Sequence, residues 1–165
     1  MDFARLGARE GAERGGGTGP NPTDRAKLGV KRHVLTDGRG VPLSVVTTPA
    51  NVHDKWMVAD VLDGVVLCGS RGPRRPEHLC LDKGYDYADA ERAVRSRGIR
   101  PHIRRRGEPP LLGCVQGKPR RWVVERTNSW HNRFRGLLIR WERKASNYLA
   151  MVYLACGFIA FQQAA

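Results

Sequence analysis

The sequence predicts an α/β domain built on a mixed sheet, and three observations lead there. Two β-rich runs, VKRHVLT (Val30–Thr36) and VPLSVVTT (Val41–Thr48), flank Asp37-Gly38-Arg39-Gly40, a strong hairpin signal. A short apolar run that ends in an acid, HLCLD (His78–Asp82), reads as a buried strand. From Arg121 the period becomes helical: Val123, Thr127, Trp130, Phe134 and Leu137 recur at spacings of four and three and define one inward stripe. Strands that meander first and then alternate with helices give a sheet of mixed direction.

The remaining elements follow in chain order. The first strand of the meander falls on Met1–Leu6, which is short, and residues 7–22, rich in Gly and Pro, are expected to be a flexible loop. Pro42 suggests that the second hairpin run begins at a strand edge or end. Asp54 is placed to cap a helix running to about Leu62, with Met57, Val58, Val61 and Leu62 inward. Gly69–Pro76 is a surface loop, Ala88–Arg97 a helix closed by Gly98, and Arg100–Arg104 a further short strand. Arg105–Pro119 is loop again. Leu138–Trp141 either extends the preceding helix or turns the chain, and an apolar helix from Ser146 closes the domain.

At 165 residues the chain has room for one domain and one core, and 41% apolar residues is an ordinary globular composition. Its charge is not ordinary. Lys and Arg total 29 against 16 acids, a formal +13, which favours polyanions through counterion release. A soluble basic protein or a ribosomal one shares that signature. The four cysteines form no CxxC pair and no His stands at finger spacing, which argues against zinc. Met1–Gly19 is polar, so no export signal is expected and the thiols are read as reduced. The apolar run Tyr148–Phe161 falls short of the roughly 18–20 residues a bilayer requires and reads as a core helix, apolar nearly all round.

Two acids stand out. Asp82, in LCLDKGYD, ends a strand where open α/β sheets place their sites, and Gly84 lets the chain turn at once. The competing reading of such an Asp is a turn cap. Glu125 lies about 200° around the helix from Val123, on a polar face with Arg121, Asn128, Ser129 and Asn132. A solvated glutamate with ion-pair neighbours is the commoner reading of a lone Glu. Held on a rigid strand and helix, the two would offer oxygen ligands to Mg²⁺. Basic clusters at Arg71, Arg74 and Arg75, at Arg104–Arg106, and at Lys118, Arg120 and Arg121 suit phosphates, as do Arg126, Arg133, Arg135, Arg140, Arg143 and Lys144. Trp122, Trp130 and Trp141 are interleaved with them and offer flat faces to a base, although Trp130 belongs to the core stripe. His53 reads as a structural hydrogen-bonder. No HxH, HExxH or GxSxG occurs.

These segments resemble a known family. TGPNPTDRAKLGVKRHVLTDGRGVPLSVVTTPANVHD is similar to the region after the first catalytic strand of bacterial insertion-sequence transposases. The likeness continues through LCLDKGYD, RGIRPHIRRRG and RWVVERTNSWHNRFRGLLIRWERK, from Thr18 to Phe161. The group it most resembles is the IS-five-like branch of DDE transposases, with a ribonuclease H-like fold. The resemblance implies a single catalytic domain over 1–165 that cuts DNA at element ends and joins 3′-hydroxyls to a target with two Mg²⁺ (or Mn²⁺) ions. Asp82 would be the second acid of the triad and Glu125 its Glu. Arg121 matches the Arg of the Tyr–Arg–Glu–Lys signature and implies a DNA contact. DNA, a homo-oligomer assembled on it, no membrane, and a cytoplasmic, nucleoid-associated location are implied with it.

Departures from the family pattern are specific. Lys118 holds the signature Tyr position and Asn132 the signature Lys, with Arg133 beside it. Lys118, Arg126, Arg133 and Trp122 join Arg121 as expected DNA contacts. Asp2, directly after Met1, is the acid available for the first triad position. The first strand is therefore expected to be short or truncated, with no separate DNA-binding domain and the amino-terminal part missing. The alternative expectation is a catalytically inactive remnant that only binds nucleic acid.

Overall fold

The computed structural model describes residues 3–12, 16–65, 68–69, 72–73, 75–103 and 121–164. Its core is a mixed sheet whose central strand is β1 (Phe3–Ala12). On one edge β1 pairs antiparallel with β3 (Leu28–Thr36), whose far end carries the two-residue β2 (Gly19–Pro20). Beyond β3 lies β4 (Pro42–Pro49), antiparallel to it and at the sheet edge, with Pro42 as its first residue. A short separate hairpin, β5 (Cys68–Gly69) with β6 (Gly72–Pro73), stands within the segment expected to be loop. On its other edge β1 pairs parallel with β7 (His78–Leu81), and β7 with β8 (Arg100–Ile103). Three antiparallel strands followed by two parallel ones form the ribonuclease H-like mixed sheet that the resemblance implies.

The first strand is thus not short. It runs ten residues, and Gly7–Ala12, expected to lie in a flexible loop, are strand paired to β3 from Val34 back to Gly29. Antiparallel pairing with β3 satisfies the backbone of this stretch on that edge, and this long-range pairing overrides the poor strand propensity of its glycines.

Helices cover both faces of the sheet. A 3-10 turn (Asp54–Met57) leads into α1 (Val58–Asp63), which packs with α2 (Ala88–Arg95) around Leu35, Leu79, Leu81 and Tyr85. The cap of the turn is His53, whose Nδ1 accepts from the Lys55 amide; Asp54 is its first residue rather than its cap. Past the end of α2, Gly98 (φ +74) closes the turn: its amide donates to the Arg95 carbonyl and that of Ile99 to the Val94 carbonyl. On the opposite face lie α3 (Arg121–Asn132), α4 (Arg135–Leu138) and α5 (Ala145–Ala164). There Leu137, Tyr148, Val152 and Ala155 bury against Val30, Val34 and Val45. Successive β3 side chains serve the two layers in turn, which is why the strand is buried on both faces.

Three helical expectations need correction. The inward face of α3 is Val123, Val124, Thr127, Asn128 and His131; Trp130 is only half-buried, and Phe134 lies past the helix end. Asn128 therefore leaves the polar face that was assigned to it. Arg140 is not a surface cation. Its guanidinium is buried, donating to the carbonyls of Gly16 (2.7 Å) and Glu142 (2.7 Å) over the Tyr148 ring. Finally, α5 is long and apolar enough to cross a membrane by length and composition, yet it docks on the sheet through one face. Met151, Tyr153, Leu154, Phe158 and Phe161 stay exposed, so it is not a core helix buried all round.

Two glycines with positive φ separate strain from space. At Gly40 (φ +90) a Cβ would meet Thr127 Oγ1 and the Val123 carbonyl, each at 3.2 Å, whereas at Gly98 (φ +74) it would meet nothing. Gly98→Ala should cost about 1 kcal/mol from the left-handed backbone alone. Gly40→Ala should cost roughly 2–4 kcal/mol because crowding adds to that strain. Urea midpoints of the two variants, compared with the parent, check the ranking.

Candidate active site

β7 ends at Leu81 because Asp82 takes the next backbone step out of the sheet. Its backbone stays extended (φ −75, ψ 166) and its Oδ1 accepts from the Lys83 amide at 2.7 Å. Asp82 so caps a 3-10 turn, Lys83–Tyr85, and its side chain is exposed. The capping reading of Asp82 is thus observed, and the cap engages one carboxylate oxygen, leaving the other to accept elsewhere. Gly84 is not what makes the turn: its φ is not positive, and a Cβ there would meet nothing within 4 Å.

Tyr85 anchors the turn by burying its ring in the core. Burial pushes its phenol far above the usual range, and the carboxylates of Asp54 and Asp82 push the same way. Those two acids therefore flank one phenol. Asp54 is held by Lys31 Nζ at 2.9 Å, and the same ammonium donates to the Val52 carbonyl at 3.0 Å. His53, exposed, meets the Tyr87 ring edge-on and caps its own turn, the structural role expected of it.

Glu125 is exposed on the second turn of α3, a helix that packs across β1 and β3. What fixes α3 is the β3–β4 turn. Asp37 Oδ1 accepts from the Arg39 and Val41 amides (2.8 Å each) and shapes that turn. Thr127 Oγ1 then donates to the Gly40 carbonyl (2.5 Å), and Arg126 Nη1 to the Arg39 carbonyl (3.2 Å). The Arg126 guanidinium lies over Trp122 at 4.1 Å and also faces Trp130 at 5.8 Å. This clasp was missed in the sequence, although the spacing of Trp122, Arg126 and Trp130, four residues each, was its signal.

Both acids thus reach solvent from elements that border β1: β7 by pairing, α3 by packing. Among the expected DNA contacts, Trp122, Arg126 and Arg133 are exposed on or just after α3. Arg121 opens the helix, and Lys118 lies outside the described residues, as do Asp2, the rest of residues 104–120, Arg71 and Arg74. Phe3, the first described residue, pairs with His78, and Leu6 with Leu81. The β1 position level with Asp82 is consequently the one after Leu6, about 13 Å along the strand from Phe3. Among the described residues no three His, Cys, Asp or Glu side chains gather into a metal cage.

The fold and the site define a class. A family model, Transposase DDE domain, matches residues 7–158, and the chain belongs to that family. It is 44% identical over 147 residues to a putative transposase for insertion sequence element IS402 from Burkholderia cepacia, covering 87% of this chain and 68% of that protein. It is 28% identical over 117 residues to the transposase for insertion sequence element IS1106 from Neisseria meningitidis serogroup B, covering 66% of this chain and 38% of that one. Solved structures with similarity include a piggyBac transposase synaptic complex with hairpin DNA (TM-score 0.41, 14% identity, 71% of this chain and 26% of that). A simian T-cell lymphotropic virus intasome in complex with PP2A regulatory subunit B56 gamma also matches (TM-score 0.48, 17% identity, 96% and 47%).

Beneath α3 lie titratable groups that serve the fold. Burial brings His131 down to about 4, with Arg32 lowering it further, and pushes the Cys156 thiol, 3.3 Å from His131 Nε2, up to about 12. Burial likewise brings His33 down to about 4; Asp54 opposes the shift and Lys31 adds to it. Both imidazoles are neutral when folded, and protonate near 6.5 when unfolded. Between pH 6.5 and about 4 the unfolded chain binds protons that the folded one refuses. Stability should be complete above pH 6.5 and fall as pH drops towards 4, by up to ~3 kcal/mol per histidine. Urea titrations at pH 7.5 and 5 check the loss, and His131→Gln should flatten the pH dependence.

Proposed function

We propose that this domain cleaves DNA at insertion-sequence ends and transfers the strand to a target, with Asp82 and Glu125 as carboxylate ligands of divalent metal. The observation that carries the reading is the position of the two acids. One ends β7 beside the central strand and the other rides on α3 across it, within a chain of the DDE family. Hard oxygen ligands on rigid elements suit Mg²⁺ or Mn²⁺. Two such ions, when bound, supply Lewis-acid stabilisation of the attacking and leaving oxygens of an in-line displacement.

The chain's own residues do the positioning. Asp82 is fixed by its cap on Lys83, and Glu125 by the clasp of Arg126 and Thr127 on the hairpin turn. Trp122, Arg126 and Arg133, with Arg121 and Lys118, are proposed to hold the DNA. Phosphate contacts of this kind orient the duplex without reading its sequence. Asp2 is the acid the sequence offers for a third ligand. The β1 register weighs against it, because its neighbour Phe3 is level with His78, at the other end of β7 from Asp82. The IS-five-like affiliation, the single-domain organisation, assembly as a homo-oligomer on DNA and a nucleoid-associated location belong to the same proposal.

Nicking and strand transfer on DNA carrying the element ends, with Mg²⁺ or Mn²⁺, test the reading. Asp82→Asn and Glu125→Gln should each lower the rate by about a hundredfold or more while DNA binding persists. Asp2→Asn should do far less, and a loss as large as that of Asp82→Asn would give Asp2 the third place after all. Salt-sensitive binding with no metal-dependent cleavage by the parent would instead leave a domain that only holds nucleic acid. Arg133→Gln should weaken duplex binding regardless of sequence and reduce the slope of log K against log salt by about 0.9.

A further inference from the structure

The exposed side of α3 beside Glu125 carries an ordered series. Trp122, Arg126 and Trp130 on the helix, and Arg133 just past its end, are spaced four, four and three residues apart, so aromatic rings and guanidinium groups alternate along one side. Arg126 already lies between the two indoles, at 4.1 Å and 5.8 Å. The series leads into a cleft of about 250 Å³ between the end of α3 and the end of α5. Trp130, Phe134, Phe158 and Ile159 wall this cleft, while Arg133 and Gln162 stand at its rim.

The chemistry of that cleft is selective. Its walls are aromatic, with Phe134 and Phe158 in edge-to-face contact at 6.0 Å. Half of Phe158 is exposed, at 51%, which is a poor arrangement for a ring that serves only the core. No acid lines the cleft, and the one charged group at its rim is a cation. A flat ring attached to a phosphate fits this combination: the walls offer stacking, Arg133 the counter-charge, and Gln162 an amide that both donates and accepts. The volume is below that of pockets for drug-sized ligands, which run to about 300–1,000 Å³, and suits a single base.

We propose that the α3–α5 cleft receives one unpaired nucleobase of the bound DNA, with the phosphate of the same nucleotide held by Arg133. The proposal deepens the DNA-binding part of the reading above and rests on it, but not on the metal ligands. An unpaired base inserted between aromatic walls is stabilised by stacking, and unpaired or distorted strands are the least costly source of one. Binding should therefore favour DNA with single-stranded or frayed ends over a fully paired duplex of the same sequence.

The test uses the full chain in EDTA, so that failure of cleavage and failure of this site are separable. A short oligonucleotide with a 2-aminopurine at successive positions, single-stranded or at the frayed end of a duplex, reports stacking through its fluorescence. At one position the parent should change the probe's emission markedly, and an abasic nucleotide there should weaken binding about tenfold. Phe158→Ala should abolish the emission change and weaken single-stranded binding about tenfold, with paired duplex binding nearly unchanged. Phe161→Ala, on the same helix but outside the cleft, should leave both intact. Urea unfolding of both variants confirms that they remain folded. Equal losses in the two variants, an emission signal that survives Phe158→Ala, or a loss that tracks a change in sedimentation would overturn the proposal. The last result would assign the cleft to a second copy of the chain.

Discussion

The pairing of β1 on both edges is the constraint on which the rest of the domain depends. A central strand has no solvent to satisfy its backbone, so each of its donors and acceptors must find a neighbour. β3 supplies partners antiparallel over Arg5–Ala12, and β7 supplies them parallel over Phe3–Leu6. The change of direction at β1 decides where the chemistry can sit. β7 leaves the sheet just past the Leu6–Leu81 pair, midway along β1, so Asp82 opens at that level, and α3 is tied to the β3–β4 turn by Thr127 and Arg126. Gly7 and Gly11 can stand in this strand because backbone pairing with β3 fixes the register there.

A second layer of dependence runs through the polar groups buried beneath α3. Arg32, on the central part of β3, sits in the interior with its Nη1 donating to the Leu137 carbonyl at 3.3 Å. Its charge bears on His131 and Cys156 alike, favouring neutral imidazole and opposing the burial that raises the thiol. On the opposite face of β3, Lys31 secures Asp54 and His33 meets Thr48 Oγ1 at 2.8 Å. Polar side chains on both faces of one strand are costly to bury unless they are satisfied. Here they link β3 to α4 on one side and to the turn before α1 on the other. Those elements pack in turn against the ones that carry the exposed acids: α4 against α3, and the turn before α1 against the Lys83–Tyr85 turn.

Much of this was legible in the residues. The hairpin from Val30 to Thr48, the strand ending in Asp82, the helix closed by Gly98 and the exposure of Glu125 all follow from local pattern, because each is set by residues close in sequence. What failed had distant causes. Gly7–Ala12 read as loop because strand pairing with residues beyond position 28 is invisible to propensity. The α3 stripe was rotated by about one residue because Trp130 is more apolar than His131, whereas the interior offers His131 a thiol and leaves Trp130 beside a guanidinium. Arg140 passed for a surface cation because its partners, the carbonyls of Gly16 and Arg143, are loop backbone that carries no signature.

The balance of charge bears on how two exposed carboxylates work in so basic a chain. A net charge of +13 raises the cost of bringing a dication to the surface, and Asp82 and Glu125 alone offset little of it. DNA reverses that sign. Its phosphates add negative potential and oxygen ligands together, so on the proposed reading the two carboxylates bind metal well only beside bound DNA. On that reading the basic residues of α3 do not compete with Asp82 at the end of β7 or with Glu125 on α3 itself: the cations would gather the polyanion, and the polyanion would complete the field in which the acids act. A carboxylate that is exposed to solvent while it caps a turn, as Asp82 is, costs little desolvation.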